Sequence, residues 1–98
     1  MLKDFGAHPA DWVPKAELHA HLEGTIHPPI LRQIAARNGI ATPDNVLDAD
    51  DNYLWTDFYD FLKVYDLATA VIKTPEDYYD LTMDYLGRVA AEGGLYVE

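Results

Sequence analysis

The chain has 98 residues, 49% of them hydrophobic, and seventeen acidic against seven basic side chains give a formal net charge of −10. That length suits one small domain, and the composition excludes a disordered or low-complexity chain. No segment approaches the roughly 20 continuous apolar residues of a bilayer span, and so acidic a surface repels a phosphate backbone, so neither a membrane nor a nucleic acid is expected as a partner. There is no cysteine, which excludes disulfides and thiolate metal sites and leaves His, Asp and Glu as the metal-binding side chains. The first fourteen residues carry Lys3, Asp4, His8, Asp11 and two prolines. They lack the apolar stretch of a secretory signal, so a cytoplasmic location is expected.

Residues 1–14 read as an irregular lead-in punctuated by Gly6, Pro9 and Pro14. A strand is predicted over residues 16–22. Strand side chains alternate between faces, so His19 and His21 would share one face, with Leu18, Ala20 and Leu22 on the other. Neutral imidazole is a common metal ligand, and two of them about 6.5–7 Å apart at Cα can converge on one ion. Metal binding needs the neutral rings, so affinity should fall as acid protonates them. The competing reading is a pair of solvent-facing histidines on an edge strand. Gly24 then suits a turn at the strand end.

Pro28-Pro29 opens a predicted helix with Ile30, Leu31, Ile34 and Ala35 on one face, and Asn38-Gly39 ends it. Residues 41–53 read as a loop with turn chemistry at Thr42-Pro43-Asp44-Asn45. Asp44, Asp48, Asp50 and Asp51 crowd that loop, but it lacks the central Gly and later Glu of a calcium loop, so solvated carboxylates are expected. Thr56 is the expected N-cap of a second helix with Phe58, Phe61, Leu62, Tyr65 and Ile72 at helical spacing. A third helix starts with Thr74 as cap, Pro75 at the first position, and Glu76 and Asp77 at the positive dipole end. Its apolar stripe is Tyr78, Leu81, Tyr85, Leu86 and Val89; Gly93-Gly94 stops it, and Leu95-Tyr96-Val97 begins a second strand.

The expected order is strand, three helices, strand: a helix-rich α/β pattern in which the helical excursion implies a parallel crossover. A two-stranded sheet is marginal alone. Residues 1–98 therefore read as one incomplete domain, the opening of something longer.

The run Pro14-Lys15-Ala16-Glu17-Leu18-His19-Ala20-His21-Leu22-Glu23-Gly24-Thr25 resembles the first-strand motif of the adenosine and adenine deaminases. Pro28-Pro29, Ile34-Ala35-Ala36-Arg37-Asn38-Gly39-Ile40, Phe61-Leu62-Lys63-Val64-Tyr65-Asp66, Thr74-Pro75-Glu76-Asp77-Tyr78 and Ala91-Glu92-Gly93-Gly94-Leu95-Tyr96-Val97-Glu98 extend the likeness in the same order. The resemblance implies the N-terminal part of a (β/α)8 TIM barrel whose strand ends hold one divalent ion, usually zinc. It implies hydrolytic deamination of adenosine to inosine, or of adenine to hypoxanthine: a metal-activated water attacks C6 of the purine and ammonia leaves. By resemblance His19 and His21 are metal ligands, and His21 and Glu23 line the purine site. Phe58, Phe61, Leu62 and Tyr65 match an apolar wall over the substrate, although periodicity alone makes them the buried face of the second helix. Glu23 stands where adenosine-acting members usually carry Asp, which leaves nucleoside against free base open.

The implied partner is thus a small-molecule purine nucleoside or base. The family's third His and Asp ligands, its proton-transfer Glu and its water-orienting His and Asp have no counterpart here and are expected beyond residue 98. His8 and His27, the other two histidines, read as surface residues. The 98 residues alone are accordingly expected to be inactive. Two further readings are a non-catalytic module that assembles as a homo-oligomer, and another His-x-His metal hydrolase such as a phosphoesterase or a TatD-like nuclease, the nuclease disfavoured by the extended motif and the acidic surface.

Overall fold

A computed structural model describes residues 8–43 and 45–98 of the chain. Residues 1–7 of the lead-in, and Asp44 in the acidic loop, lie outside the described residues. A short 3₁₀ turn at Pro9–Trp12 precedes β1 (Lys15–Glu17), and a second 3₁₀ turn at Leu22–Thr25 follows it. Then come α1 (Pro28–Arg37), α2 (Phe58–Thr69), α3 (Pro75–Ala91) and β2 (Gly94–Val97). β1 and β2 pair in parallel, with Ala16 opposite Tyr96 and Glu17 opposite Val97. The crossover expected from the strand–helix–strand order is present.

The first strand is much shorter than the expected 16–22. His19 adopts a left-handed φ of 59°, which an extended strand cannot accommodate. The chain nevertheless stays beside β2, because Ala20 N–H donates to the Glu98 carbonyl at 2.7 Å. The second helix starts one residue later than expected. Asp57, rather than Thr56, is its cap: the Asp57 carboxylate accepts from Asp60 N–H at 2.8 Å, while Thr56 N–H donates to the Asp60 carboxylate at 3.0 Å. Ile72 falls after this helix and packs, half-buried, against the core. α3 begins as expected, with Thr74 and Asp77 forming a reciprocal capping box behind Pro75.

The core joins Ile26, the predicted α1 face (Ile30, Leu31, Ile34, Ala35), Ala68 of α2, Val71, and Leu81 of α3. The α2 face differs from its periodicity. Val64 and Ala68 are its buried residues, whereas Phe58 is 68% and Leu62 41% exposed. Reading all four aromatic and aliphatic positions as a buried face is therefore wrong for these two. On α3, Leu81 and Tyr85 are buried while Tyr78 and Leu86 reach the surface. The α1 stop is divided between two residues. Gly39 takes the left-handed cap (φ 68°), and Asn38 instead turns its amide inward to the Val71 carbonyl at 2.8 Å and to Asp77 at 2.7 Å.

Asp77 is the polar centre of this helical layer and is fully buried. Its carboxylate accepts from Lys73 N–H (2.8 Å), Thr74 N–H (3.0 Å), Asn38 Nδ2 (2.7 Å) and the Arg37 guanidinium (2.8 Å). Burial alone would raise its pKa; the donors from Asn38, Lys73 and Thr74 outweigh burial and hold it well below the usual carboxylate range. One side chain thus ties the end of α1 to the α2–α3 connection and the start of α3.

At the opposite end of the sheet, the Lys15 ammonium donates to the carbonyls of Ala10, Val13 and Glu92. Gly93 lies beneath the same segment with φ 84°, and a Cβ there would sit 2.2 Å from the Asp11 carbonyl oxygen and 2.8 Å from that of Val13. Gly93→Ala should therefore cost about 2 kcal/mol or more, through left-handed strain and backbone collision together, read as a fall in the urea midpoint. Two carboxylates of the acidic loop, those of Asp48 and Asp51, have partners among the described residues. Asp48 accepts from Asp50 N–H and Asn52 N–H at 2.8 and 3.0 Å, and Asp51 pairs with Arg32.

Candidate metal and purine site

The chain leaves β1 at Leu18, turns left-handed at His19, and enters the 3₁₀ turn through His21, whose own side chain makes no capping bond. The two imidazoles come together through that turn, not through strand alternation. Their ring centroids are 5.3 Å apart and their planes differ by 28°. Both residues are exposed at the C-terminal end of β1.

Two imidazoles bound to one tetrahedral ion at Zn–N distances near 2.0–2.1 Å have ring centroids about 5 Å apart. The observed spacing fits a shared cation, and both rings are the right donor type. Among the described residues no group of three His, Cys, Asp or Glu side chains gathers as a metal site. His8 and His27 are elsewhere and exposed: His8 Nδ1 accepts from Ala10 N–H at 3.0 Å, and His27 stands at the start of α1.

Beside the pair lies an open cleft of about 590 Å³ between the β1 end and α2. Of the residues singled out in the sequence, His21, Phe61, Leu62 and Tyr65 line it. Phe58 does not; it packs on Phe61 with centroids 6.4 Å apart. Glu23 is also outside the cleft lining. It borders a smaller, mainly apolar cavity that Gly24, Phe61 and Tyr65 also line, and its Oε1 accepts from the Tyr78 hydroxyl at 3.4 Å. Burial, with the negative Glu23 and Asp66 nearby, raises the Tyr65 phenol pKa.

Four lining residues, Glu17, Ala20, Gly24 and Thr25, were not among the site residues expected from the sequence. Glu17 enters the cleft wall beside His21, and its position two residues before His19 was the available signal. Glu17 also lies near Tyr85, whose hydroxyl is buried without a hydrogen bond of acceptable geometry; burial, and the Glu17 carboxylate after it, raises that phenol's pKa. Gly24 is needed for a close approach: a Cβ there would sit 3.0 Å from Tyr65 Cε2. A strand end carrying two imidazoles, an adjacent carboxylate and an aromatic-walled cleft can hold a cation next to a flat organic molecule.

The adenosine deaminase family's sequence model matches residues 14–98. Over 87 residues the chain is 44% identical to an aminodeoxyfutalosine deaminase of Acidothermus cellulolyticus, covering 88% of this chain and 24% of that protein. It is 39% identical over 87 residues to an adenine deaminase of Albidiferax ferrireducens, covering 88% of this chain and 25% of that protein. A Cupriavidus taiwanensis adenine deaminase is 42% identical over 86 residues, covering 87% and 24% respectively. The chain spans about a quarter of the length of these relatives. With the family's motif region matched from residue 14 to residue 98, the chain belongs to the adenosine deaminase family.

Proposed function

We propose that these 98 residues form the N-terminal part of a (β/α)8-barrel purine deaminase, acting on adenosine, adenine or a purine-bearing relative of them. The carrying observation is the His19–His21 pair, 5.3 Å between centroids, at the rim of an aromatic-walled cleft. The names of the related proteins, all deaminases, support the same reading.

His19 and His21 would hold one divalent cation, most simply zinc, in their neutral forms. When bound, such an ion supplies an activated water nucleophile near neutral pH. The remaining work of this segment is binding and orientation. Phe61 and Tyr65 offer ring faces, and Leu62 an apolar edge, against which a planar purine can lie. His21 brings the cation side of the site against that wall, which sets the substrate's reacting carbon toward the strand ends. Glu17 and Glu23 are acceptors for purine or sugar donors. The groups that move protons lie on later strands in this account, and the whole enzyme works in the cytoplasm. The exposed side chains of β2, Leu95 and Tyr96, are then surfaces for later barrel elements.

Ammonia release from adenine, adenosine and aminodeoxyfutalosine tests the reading. The full-length enzyme should deaminate at least one of them, and the 98-residue chain with added zinc should deaminate none. Turnover by the short chain well above background would contradict the assignment of missing groups. The homo-oligomer alternative is tested by solution mass: a stable monomer of 11.1 kDa counts against it.

Gly24→Ala gives a sharper prediction for the cleft. The added methyl meets the Tyr65 ring at 3.0 Å, so the ring must shift. KM for the purine should rise severalfold with little change in thermal stability, read by steady-state kinetics beside a melting curve.

A further inference from the structure

Phe61 borders both the large cleft and the smaller cavity, of about 590 and 50 Å³, so much of its half-buried ring faces open space rather than packed side chains. A ring with few partner atoms around it lacks the dispersion contacts that would fix one rotamer. Among the described residues three rings stand against it. Phe58 and Tyr65, with centroids 6.4 and 6.3 Å away, lie three residues before and four residues after it on α2, so they move with the helix. Trp55 is the third, an edge-to-face pair at 5.3 Å and 73°, and it comes from the chain ahead of the Asp57 cap.

That chain is fastened on both sides of Trp55. Leu54 N–H donates to the carbonyl of fully buried Val46 at 2.9 Å, and Thr56 N–H donates to the Asp60 carboxylate at 3.0 Å. Trp55 itself is 52% exposed and lines neither space. Its indole belongs to neither the core nor the cleft wall, and its aromatic partner among the described residues is Phe61.

We propose that Trp55 is a positioning residue that braces the Phe61 ring from outside α2 and so fixes the wall against which the purine lies. This rests on the purine-deaminase reading above. A planar base gains most from a ring that already holds one orientation. A ring free to turn toward the smaller cavity must be ordered as the base enters, and that ordering weakens binding. The brace therefore acts on substrate affinity and leaves the chemical step alone.

The test measures kcat and KM in the full-length enzyme for whichever of adenine, adenosine and aminodeoxyfutalosine it deaminates fastest. The variants are Trp55→Ala, Trp55→Leu, Trp55→Phe, Phe61→Leu and the double variant Trp55→Ala/Phe61→Leu. Trp55→Ala should raise KM roughly three- to tenfold, the range of one aromatic pair, with kcat changed by less than about twofold. Trp55→Leu keeps apolar bulk without a ring and should resemble Trp55→Ala, whereas Trp55→Phe should recover most of the loss. In the Phe61→Leu background Trp55→Ala should move KM by less than about twofold, because Trp55 acts through Phe61. A KM unmoved by Trp55→Ala, a loss carried by kcat, a Leu variant as good as the Phe variant, or an equal rise in both backgrounds overturns the proposal. Release of ammonia from none of the three compounds by the unmodified enzyme overturns the functional reading first and this proposal with it, so the unmodified control separates the two failures.

Discussion

His21→Ala in the full-length enzyme should lower kcat/KM by about a thousandfold or more, with the fold intact. His21 is placed to do two jobs at once. In the proposed site it forms the ligand pair with His19, rings 5.3 Å apart, and it lines the cleft with Phe61, Leu62 and Tyr65. Losing a ligand forfeits the several kcal/mol of transition-state stabilisation that a bound cation supplies. His19→Ala removes only the first of these jobs, since His19 stacks on His21 without lining the cleft. It should therefore cost activity through metal loss and be partly rescued by high zinc concentrations. His21→Ala should respond less, because the cleft wall has changed as well. Both residues are exposed, so melting curves should stay within a degree or two of the unmodified protein when metal is absent. Activity assays across a zinc titration check these outcomes.

The largest stability effect is expected at Asp77. Asp77→Ala leaves the backbone N–H groups of Lys73 and Thr74, the Asn38 amide and the Arg37 guanidinium without their shared acceptor. Buried donors left unpaired cost about 1–3 kcal/mol each, with partial relief from water at the Arg37 side, so a loss of about 3–5 kcal/mol is expected by urea denaturation. Asn38→Ala removes one donor and should cost only about 1 kcal/mol. The sign of the pH dependence follows from the lowered folded-state pKa of Asp77. Its contribution is fully present above the unfolded carboxylate pKa, near 3.9, and is lost as pH falls from there toward the depressed folded value. Asp77→Asn should therefore flatten the acid limb of the stability curve between about pH 4 and pH 2 while also lowering stability at neutral pH.

Much of the architecture was legible because helix punctuation is local. Thr74 and Pro75 marked the α3 start and Pro28-Pro29 the α1 start, and the α1 face of Ile30, Leu31, Ile34 and Ala35 is the buried one. The strand and the α2 face were misread for a shared reason: both depend on tertiary context. Period-two alternation cannot register that His19 turns left-handed, and 3.6-residue spacing cannot tell an aromatic in the core from one on a cleft wall. Phe58 and Leu62 fit the helical pattern and are exposed all the same. Asp77 looked like a dipole-compensating acid in the first turn, and nothing local announces that Asn38, thirty-nine positions earlier, donates to it. Of the candidate site, the motif named the two histidines that come together and four of the eight residues that line the cleft. Glu17 was passed over and Glu23 sits one cavity away from where the motif suggested, because a motif fixes positions along the chain and not side-chain direction.

The most direct measurement is the metal content of the full-length enzyme, by elemental analysis after exhaustive dialysis, for the unmodified protein and for the His19→Ala/His21→Ala double variant. About one divalent ion per chain in the first and almost none in the second, with circular dichroism unchanged, is the result expected if these two rings grip a common cation. A double variant that keeps its full complement of metal would contradict that placement, and the cation would have to be held by other residues.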